Sequence, residues 1–134
     1  MSLYVDSSAL VKLYLDEPES ELSAELVETD PVRLTGRHAL VEVRRVLARM
    51  IPPRELNRVK LAFESELDEF SIVELDKTTC EVAASIAETT GVKSLDALHL
   101  GAARRVSDTR ITFLTFDHRQ AQAARTLGFT VIGA

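Results

Sequence analysis

Leu3-Tyr4-Val5-Asp6-Ser7-Ser8-Ala9-Leu10-Val11 changes its period in the middle. Residues 3–5 are a short apolar run of β type, whereas from Ser7 onward Leu10, Val11 and Tyr14 recur at helical spacing, so a strand runs into a helix across one acid. The far end of the chain repeats the arrangement. Phe113-Leu114-Thr115-Phe116-Asp117 closes a strand over 111–115, a helix follows from about 119 to 127, and Gly128 stops it before a last strand over 129–132. Between these ends, helix and strand alternate. Pro18 opens a helix carrying Leu22, Leu26 and Val27; Asp30-Pro31 breaks it before an extended piece at 32–35. A long helix follows with Leu40, Val43, Leu47 and Met50 on one face, and Pro52-Pro53 turns it into another bearing Leu56, Val59, Phe63, Leu67 and Phe70, so the two form a hairpin. A strand at 71–75, a helix capped by Asp76 and ending near Gly91, and a helix from a Ser94 cap to about 106 complete the series. Strands separated by helices require crossover connections, which predicts an α/β fold of three layers, with a central, mostly parallel sheet between helices.

At 134 residues the chain has the length of one domain and can bury a real core, and we expect a single unit over 1–134. Hydrophobic residues at 46% and charged residues at 28% describe a folded protein without a disordered tail, and no repeat, linker or low-complexity segment interrupts it. Cys80 is the single cysteine, which excludes an internal disulfide and a cysteine-based zinc site. The start of the chain lacks the basic stretch and apolar core of a secretion signal, and no apolar run approaches the roughly 20 residues that cross a bilayer, so we expect a cytoplasmic protein without a membrane span. The net charge of −5 is awkward for binding nucleic acid. However, Arg37, Arg44, Arg45, Arg49, Lys93, Arg104, Arg105, Arg110 and Arg119 stand close in sequence to acids of interest, as a basic rim around an acidic centre or simply as solvated helix faces.

Those acids are Asp6, Glu42, Asp96 and Asp117. Each interrupts an apolar setting: Asp6 after Leu3-Tyr4-Val5, Glu42 within Ala39-Leu40-Val41-Glu42-Val43, Asp96 within Ser94-Leu95-Asp96-Ala97-Leu98-His99-Leu100, and Asp117 after Phe113-Leu114-Thr115-Phe116. Burying a lone carboxylate costs several kcal/mol unless it is compensated. In a parallel α/β fold the carboxyl ends of the strands form the ligand rim, where Asp6 and Asp117 fall, and Glu42 and Asp96 can reach it from the first turns of their helices. Four carboxylates call for a common cation, and oxygen donors suit Mg2+ or Mn2+, whose chemistry is at phosphate. Each residue also has a structural reading. Asp6 and Asp117 can be N-caps, Asp96 can complement a helix dipole for up to about 1 kcal/mol, and Glu42 can pair with Arg45 or Arg49. His99 reads as a packed core histidine, His38 and His118 as surface or capping residues, and Cys80 as a buried small hydrophobe.

Tyr4-Val5-Asp6-Ser7-Ser8-Ala9-Leu10-Val11-Lys12, Glu42 with Arg45, Ser94-Leu95-Asp96-Ala97-Leu98-His99-Leu100, and Phe113-Leu114-Thr115-Phe116-Asp117 followed by Leu127-Gly128-Phe129 together resemble PIN-domain ribonucleases, in particular the VapC toxins of bacterial and archaeal toxin–antitoxin pairs. The likeness runs in order through nearly the whole chain. It implies a PIN-like nuclease and a Mg2+- or Mn2+-dependent endoribonuclease acting as a toxin, with Asp6, Glu42, Asp96 and Asp117 as metal ligands and catalytic residues. It further implies support from Ser7 and Thr115, an RNA substrate hydrolysed by a metal-activated water, a homodimer, and a cognate antitoxin that covers the active site, often with an inserted arginine. Two other functions compete: a PIN-like binding module without catalysis, and a phosphohydrolase of haloacid dehalogenase type. The latter needs a second aspartate two positions after the first, where this chain has Ser8.

Overall fold

The first strand shows how the layers arise. In a computed structural model that describes residues 2–106 and 110–134, β1 (Ser2–Val5) is buried along its length. Successive side chains leave a strand on opposite faces. Leu3 and Val5 accordingly enter one apolar cluster, while Tyr4 enters another. In β4 (Ile111–Thr115), Leu114 joins the first cluster, and Ile111 and Phe113 join the second.

The first cluster is closed by α1 (Ser7–Lys12), α2 (Ser20–Val27), α3 (Ala39–Met50) and α4 (Pro53–Leu67), which contribute Leu10, Val27, Val43, Leu47 and Phe63 among others. The second is closed by α5 (Lys77–Thr90), α6 (Ser94–Arg105) and α7 (His118–Thr126) through Ile86, Leu100, Ala103 and Ala124. With β2 (Arg33–Gly36), β3 (Ser71–Val73) and β5 (Thr130–Gly133), the sheet has five strands in the order β3-β2-β1-β4-β5. Every pairing is parallel, with Val5 beside Leu114 and Tyr4 beside both Leu34 and Phe113. This is the expected α/β/α arrangement.

The order of strands locates the ligand rim. From β1 the chain moves outward to β2 and β3, then returns to place β4 on the other side of β1 and continues to β5. The direction of winding reverses between β1 and β4, and a crevice opens at such a switch point beyond the strands' carboxyl ends. Asp6 and Asp117 follow these two strands.

Several local expectations need correction. The second helix begins at Ser20 rather than Pro18, with Glu19 at its N-cap. The third strand ends at Val73. Lys93, not Ser94, occupies the cap position of α6. Cys80 is exposed, because the buried stripe of α5 runs through Thr79, Ala83 and Ile86 and leaves position 80 turned away. His38, read as a surface or capping residue, does stand at the N-cap position of α3, though without a side-chain capping bond, and is buried at 7% exposure. Among the described residues, no helix is long and apolar enough to cross a membrane.

Candidate functional site

Asp6 and Asp117 do cap helices. Asp6 Oδ1 accepts from the Ala9 amide at 3.3 Å and from the Ser8 hydroxyl at 2.6 Å, and Asp117 Oδ1 accepts from the Arg119 and Gln120 amides at 2.8 and 3.1 Å. Capping and a further role are compatible, since each of these bonds falls on a single carboxylate oxygen. The same holds at Glu42, where Oε1 takes the bonds. Among the described residues, Oε2 of Glu42 and Oδ2 of Asp117 accept none, and no hydrogen bond engages the Asp96 side chain.

Ser8 knots the ends of β1 and β4 together. Its single proton goes to Asp6, so its oxygen accepts from the Phe116 amide at 2.9 Å and from the Thr115 hydroxyl at 3.2 Å. Thr115 Oγ1 in turn accepts from the Asp117 amide at 3.1 Å. Thr115 thus links Ser8, beside Asp6, to the backbone of Asp117. Ser7 turns instead to Glu42, donating to Oε1 at 2.7 Å, and Ser8 takes the place beside Asp6.

Glu42 makes no ion pair with Arg45 or Arg49. Its side chain, 21% exposed, meets His99 Nε2 at 2.8 Å. His99 belongs to the core as expected, at 1% exposure, and is at the same time part of the site. Tyr4 Oη lies 2.7 Å from its Nδ1, and Ser7 Oγ lies 3.0 Å from its Nε2. A carboxylate accepts only, so Nε2 carries a proton shared between Glu42 and Ser7, and in the neutral ring Nδ1 accepts from Tyr4. The i, i+3 spacing of Asp96 and His99 in one helix, which puts them on one face, is the sequence signal that links His99 to the acids. Ser8 carried no comparable signal.

The electrostatics mark the acids as neighbours. Burial holds the Asp6 carboxyl above its usual range, against the lowering effects of His99, Ser8 and Thr115. Asp96 is also raised, first by burial and then by the charges of Asp117 and Asp6, with a smaller contribution from Glu42. At Glu42 burial pulls upward, but hydrogen bonds from His99 and Ser7 and the charge of His99 outweigh it and hold the group below its usual value. Among the described residues, no Lys or Arg forms an ion pair with any of the four acids. A centre of uncompensated carboxylates with unused oxygens fits a hard divalent cation.

Only one set of three or more potential ligands has all its ligand atoms within 4.8 Å among the described residues: His38, Glu42 and His99. Chemistry argues against a cation there. His99 Nε2 is committed to Glu42 and Nδ1 to Tyr4, while His38 Nε2 donates to the Leu95 carbonyl at 3.2 Å. The remaining His38 nitrogen, Nδ1, is buried and has no partner among the described residues, and a Cβ on Gly36 would sit 2.7 Å from it, so glycine is what makes room for this ring. Burial, then His99, lower the His38 pKa to about 4, and Glu42 and Leu95 only partly oppose this. His38 is a neutral wedge against His99, their ring centroids 3.9 Å apart.

Two cavities flank the acids and share Asp117. One of about 490 Å3 is lined by Asp96, Lys93, Arg119 and Thr90 among others. The other, about 330 Å3, runs past Ser7, Ser8 and Glu42 to Val11, Lys12, Val46 and Phe116. Of the basic residues read either as a rim or as solvated helix faces, several are paired with acids at the surface. Arg37 pairs with Glu74, Arg44 with Glu64 and Arg105 with Asp76, which leaves Lys93 and Arg119 as the basic residues lining the cavity beside Asp96.

Comparison with known proteins agrees with this geometry. Ribonuclease VapC47 of Mycobacterium tuberculosis is 33% identical over 95% of this chain and 93% of its own length. Ribonuclease VapC46 of the same organism is 33% identical over 98% and 96%. Among solved structures, FitAcB from Neisseria gonorrhoeae superposes with a TM-score of 0.76 at 20% identity, covering 96% of this chain and 95% of that one. VapC20 of M. tuberculosis, described as a sarcin–ricin loop cleaving toxin, gives 0.72 at 15% identity over 98% of each chain. The PIN domain family model matches residues 3–126. Strand order, acids and sequence likeness lead to one assignment: the chain belongs to the PIN-domain family, alongside the VapC ribonucleases.

Proposed function

We propose that the chain, as one PIN-like nuclease unit over 1–134, is a Mg2+- or Mn2+-dependent endoribonuclease and the toxin of a toxin–antitoxin pair. What supports this reading is that Asp96 feels the charges of Asp117, Asp6 and Glu42 at the switch point of the sheet, with no Lys or Arg paired to any of the four acids among the described residues, in a chain whose relatives are ribonucleases. These four residues would hold the cation and form the catalytic centre. A cation bound there supplies Lewis-acid neutralisation of phosphate oxygens and a water of lowered pKa. The chain's own part is to fix the carboxylates through Ser7, Ser8 and Thr115 and to bring the phosphodiester in. With a net charge of −5, attraction must be local, and Lys93 and Arg119 supply it in the cavity next to Asp96. An RNA substrate goes with a cytoplasmic setting.

An antitoxin is the proposed partner. Solved relatives of this fold include a toxin–antitoxin complex from Klebsiella pneumoniae and FitAB bound to a DNA fragment. Val11, Val46 and Phe116 line the smaller cavity beside Glu42 and Asp117, and Val41, Met50 and Leu61 are exposed on α3 and α4. These apolar surfaces suit an amphipathic segment over the acids and a homodimer contact. A haloacid dehalogenase mechanism is excluded by family, and the place of its second aspartate is held by Ser8, bonded to Asp6.

The test is RNA cleavage by antitoxin-free protein with Mg2+ or Mn2+ against EDTA, with Asp6→Asn, Glu42→Gln and Asp96→Asn as variants. Each amide keeps the shape but loses the charge, so cleavage should fail while the fold survives, and paired changes should cost far less than the product of single ones. Asp117→Asn preserves the helix cap and should be milder. Full cleavage in EDTA or by Asp96→Asn overturns the mechanism. A chain that binds metal and captures its antitoxin but cuts no RNA would instead point to a binding module.

A further inference from the structure

We propose that His99 is the positioning residue for Glu42 and that Tyr4 anchors it, so that Glu42 meets the cation with its carboxylate already oriented. This rests on the endonuclease reading above. Glu42 is a flexible side chain at the edge of the crevice, and left alone it would have to be ordered each time a cation binds. Here its Oε1 is held by two groups, Ser7 at 2.7 Å and His99 Nε2 at 2.8 Å, and Oε2 accepts no hydrogen bond among the described residues. The hold is only as rigid as the imidazole, and that ring is held at both nitrogens and packed by Tyr4 and His38. Tyr4 Oη lies 2.7 Å from Nδ1. The Tyr4 ring meets the imidazole edge-on at 5.7 Å and 74°, and His38 packs against it at 3.9 Å. Tyr4 itself is fully buried on the central strand and stacked on Phe113 at 5.2 Å. The line Phe113, Tyr4, His99, Glu42 thus carries the rigidity of the sheet to a residue on α3, and α6 supplies both the ligand Asp96 and the group that steers Glu42.

The geometry makes one donor atom decisive, which gives the test a conservative variant. In His99→Gln an amide N–H can replace Nε2–H, whereas His99→Leu leaves no donor. With Mn2+ as probe, titration calorimetry should show His99→Leu binding about 10- to 100-fold more weakly than wild type, the range typical for removal of a partner that orients a ligand. His99→Gln should recover most of that affinity. The Mn2+ concentration for half-maximal RNA cleavage should rise in parallel, with kcat at saturating Mn2+ changing far less. In a Glu42→Gln background, His99→Leu should add nothing further. In the metal-free protein, the ring 15N signals should report an Nε2-protonated His99 that shifts on Glu42→Gln.

Wild-type Mn2+ affinity in His99→Leu, a His99→Gln variant no better than His99→Leu, or an imidazole insensitive to Glu42→Gln overturns the proposal. If His99→Leu does not fold, Mn2+ binding by His99→Gln and the ring signal decide it. A wild-type chain that takes up no Mn2+ and cuts no RNA overturns the endonuclease reading, and the metal-free ring signal still tells whether His99 and Glu42 are coupled.

Discussion

Gln120 donates its side-chain amide to the main-chain carbonyl of Asp96 across 3.0 Å, tying the first turn of α7 to the first turn of α6. The residue is fully buried, and its Oε1 has no partner among the described residues. Nothing but this one bond compensates the burial of a polar amide, so the contact serves geometry more than stability: it fixes the spacing of Asp96 and Asp117. Gln120→Leu removes the bond and the unpartnered oxygen together. Denaturant unfolding should show a change within about 1 kcal/mol, because the two effects oppose each other. The rise in Tm given by Mn2+ should shrink markedly.

The raised pKa of Asp96 predicts a pH dependence whose sign reverses with metal. Its usual value is 3.8 and its folded value is higher, so above pH 3.8 the native state binds more protons than the unfolded chain and stability falls as pH rises through the folded pKa. Glu42, held low, acts in the opposite sense, as does His38, which loses stability as pH drops from 6.5 toward about 4. Comparing variants isolates the first effect. In EDTA, Asp96→Asn should melt higher than wild type, by a margin that grows from acid to neutral pH. In Mn2+ wild type should overtake it, because a ligand that prefers the native state stabilises by mass action. Equal metal responses in the two proteins would count against the site.

Gly101 is required by close packing rather than by backbone freedom. A Cβ there would fall 2.9 Å from Ala83 Cβ and 3.0 Å from Ala83 Cα, on the neighbouring helix. Gly101→Val should destabilise by about 1–3 kcal/mol, the usual cost of overpacking. Since α6 carries Asp96 and His99, Mn2+ affinity should weaken as well, and calorimetry alongside a denaturant curve will show both changes.

Lys93 and Arg119 should reveal themselves through salt. Removing one side chain that neutralises a phosphate reduces the slope of log K against log salt by about 1. Arg119→Ala and Lys93→Ala should each raise KM for RNA with little change in kcat, and flatten the salt dependence by that amount. An unchanged slope would place the strand elsewhere.

Much of this was readable because period encodes position. The apolar runs located the strands, and two of the acids that interrupt such runs, Asp6 and Asp117, follow the strands β1 and β4 on either side of the switch point. What escaped the sequence was rotation and pairing. Ser7 and Ser8 are adjacent in the chain, yet one step of a helix turns them about 100° apart, so one serves Glu42 and the other Asp6. Cys80 misses the buried face of α5 by the same single step. His38 precedes its helix and belongs to no periodic pattern, so its burial depends on the space left by Gly36. Whether the arginines formed a rim or solvated faces was left open by the sequence, because Glu74, Glu64 and Asp76, which pair with Arg37, Arg44 and Arg105, are distant from them in the chain.

The adjacency of β1 and β4 has a consequence for a chain being made. Ser8 and Thr115, which meet across the strand ends beside Asp6 and Asp117, lie 107 positions apart in the chain, so Asp6 is synthesised well before its neighbours on β4. Until β4 docks there is no second wall to the crevice, and Ser8 has nothing to bridge. A product cut short before β4 therefore lacks one wall of the crevice, and the acids of β1 and β4 come together only after the residues between them have been made.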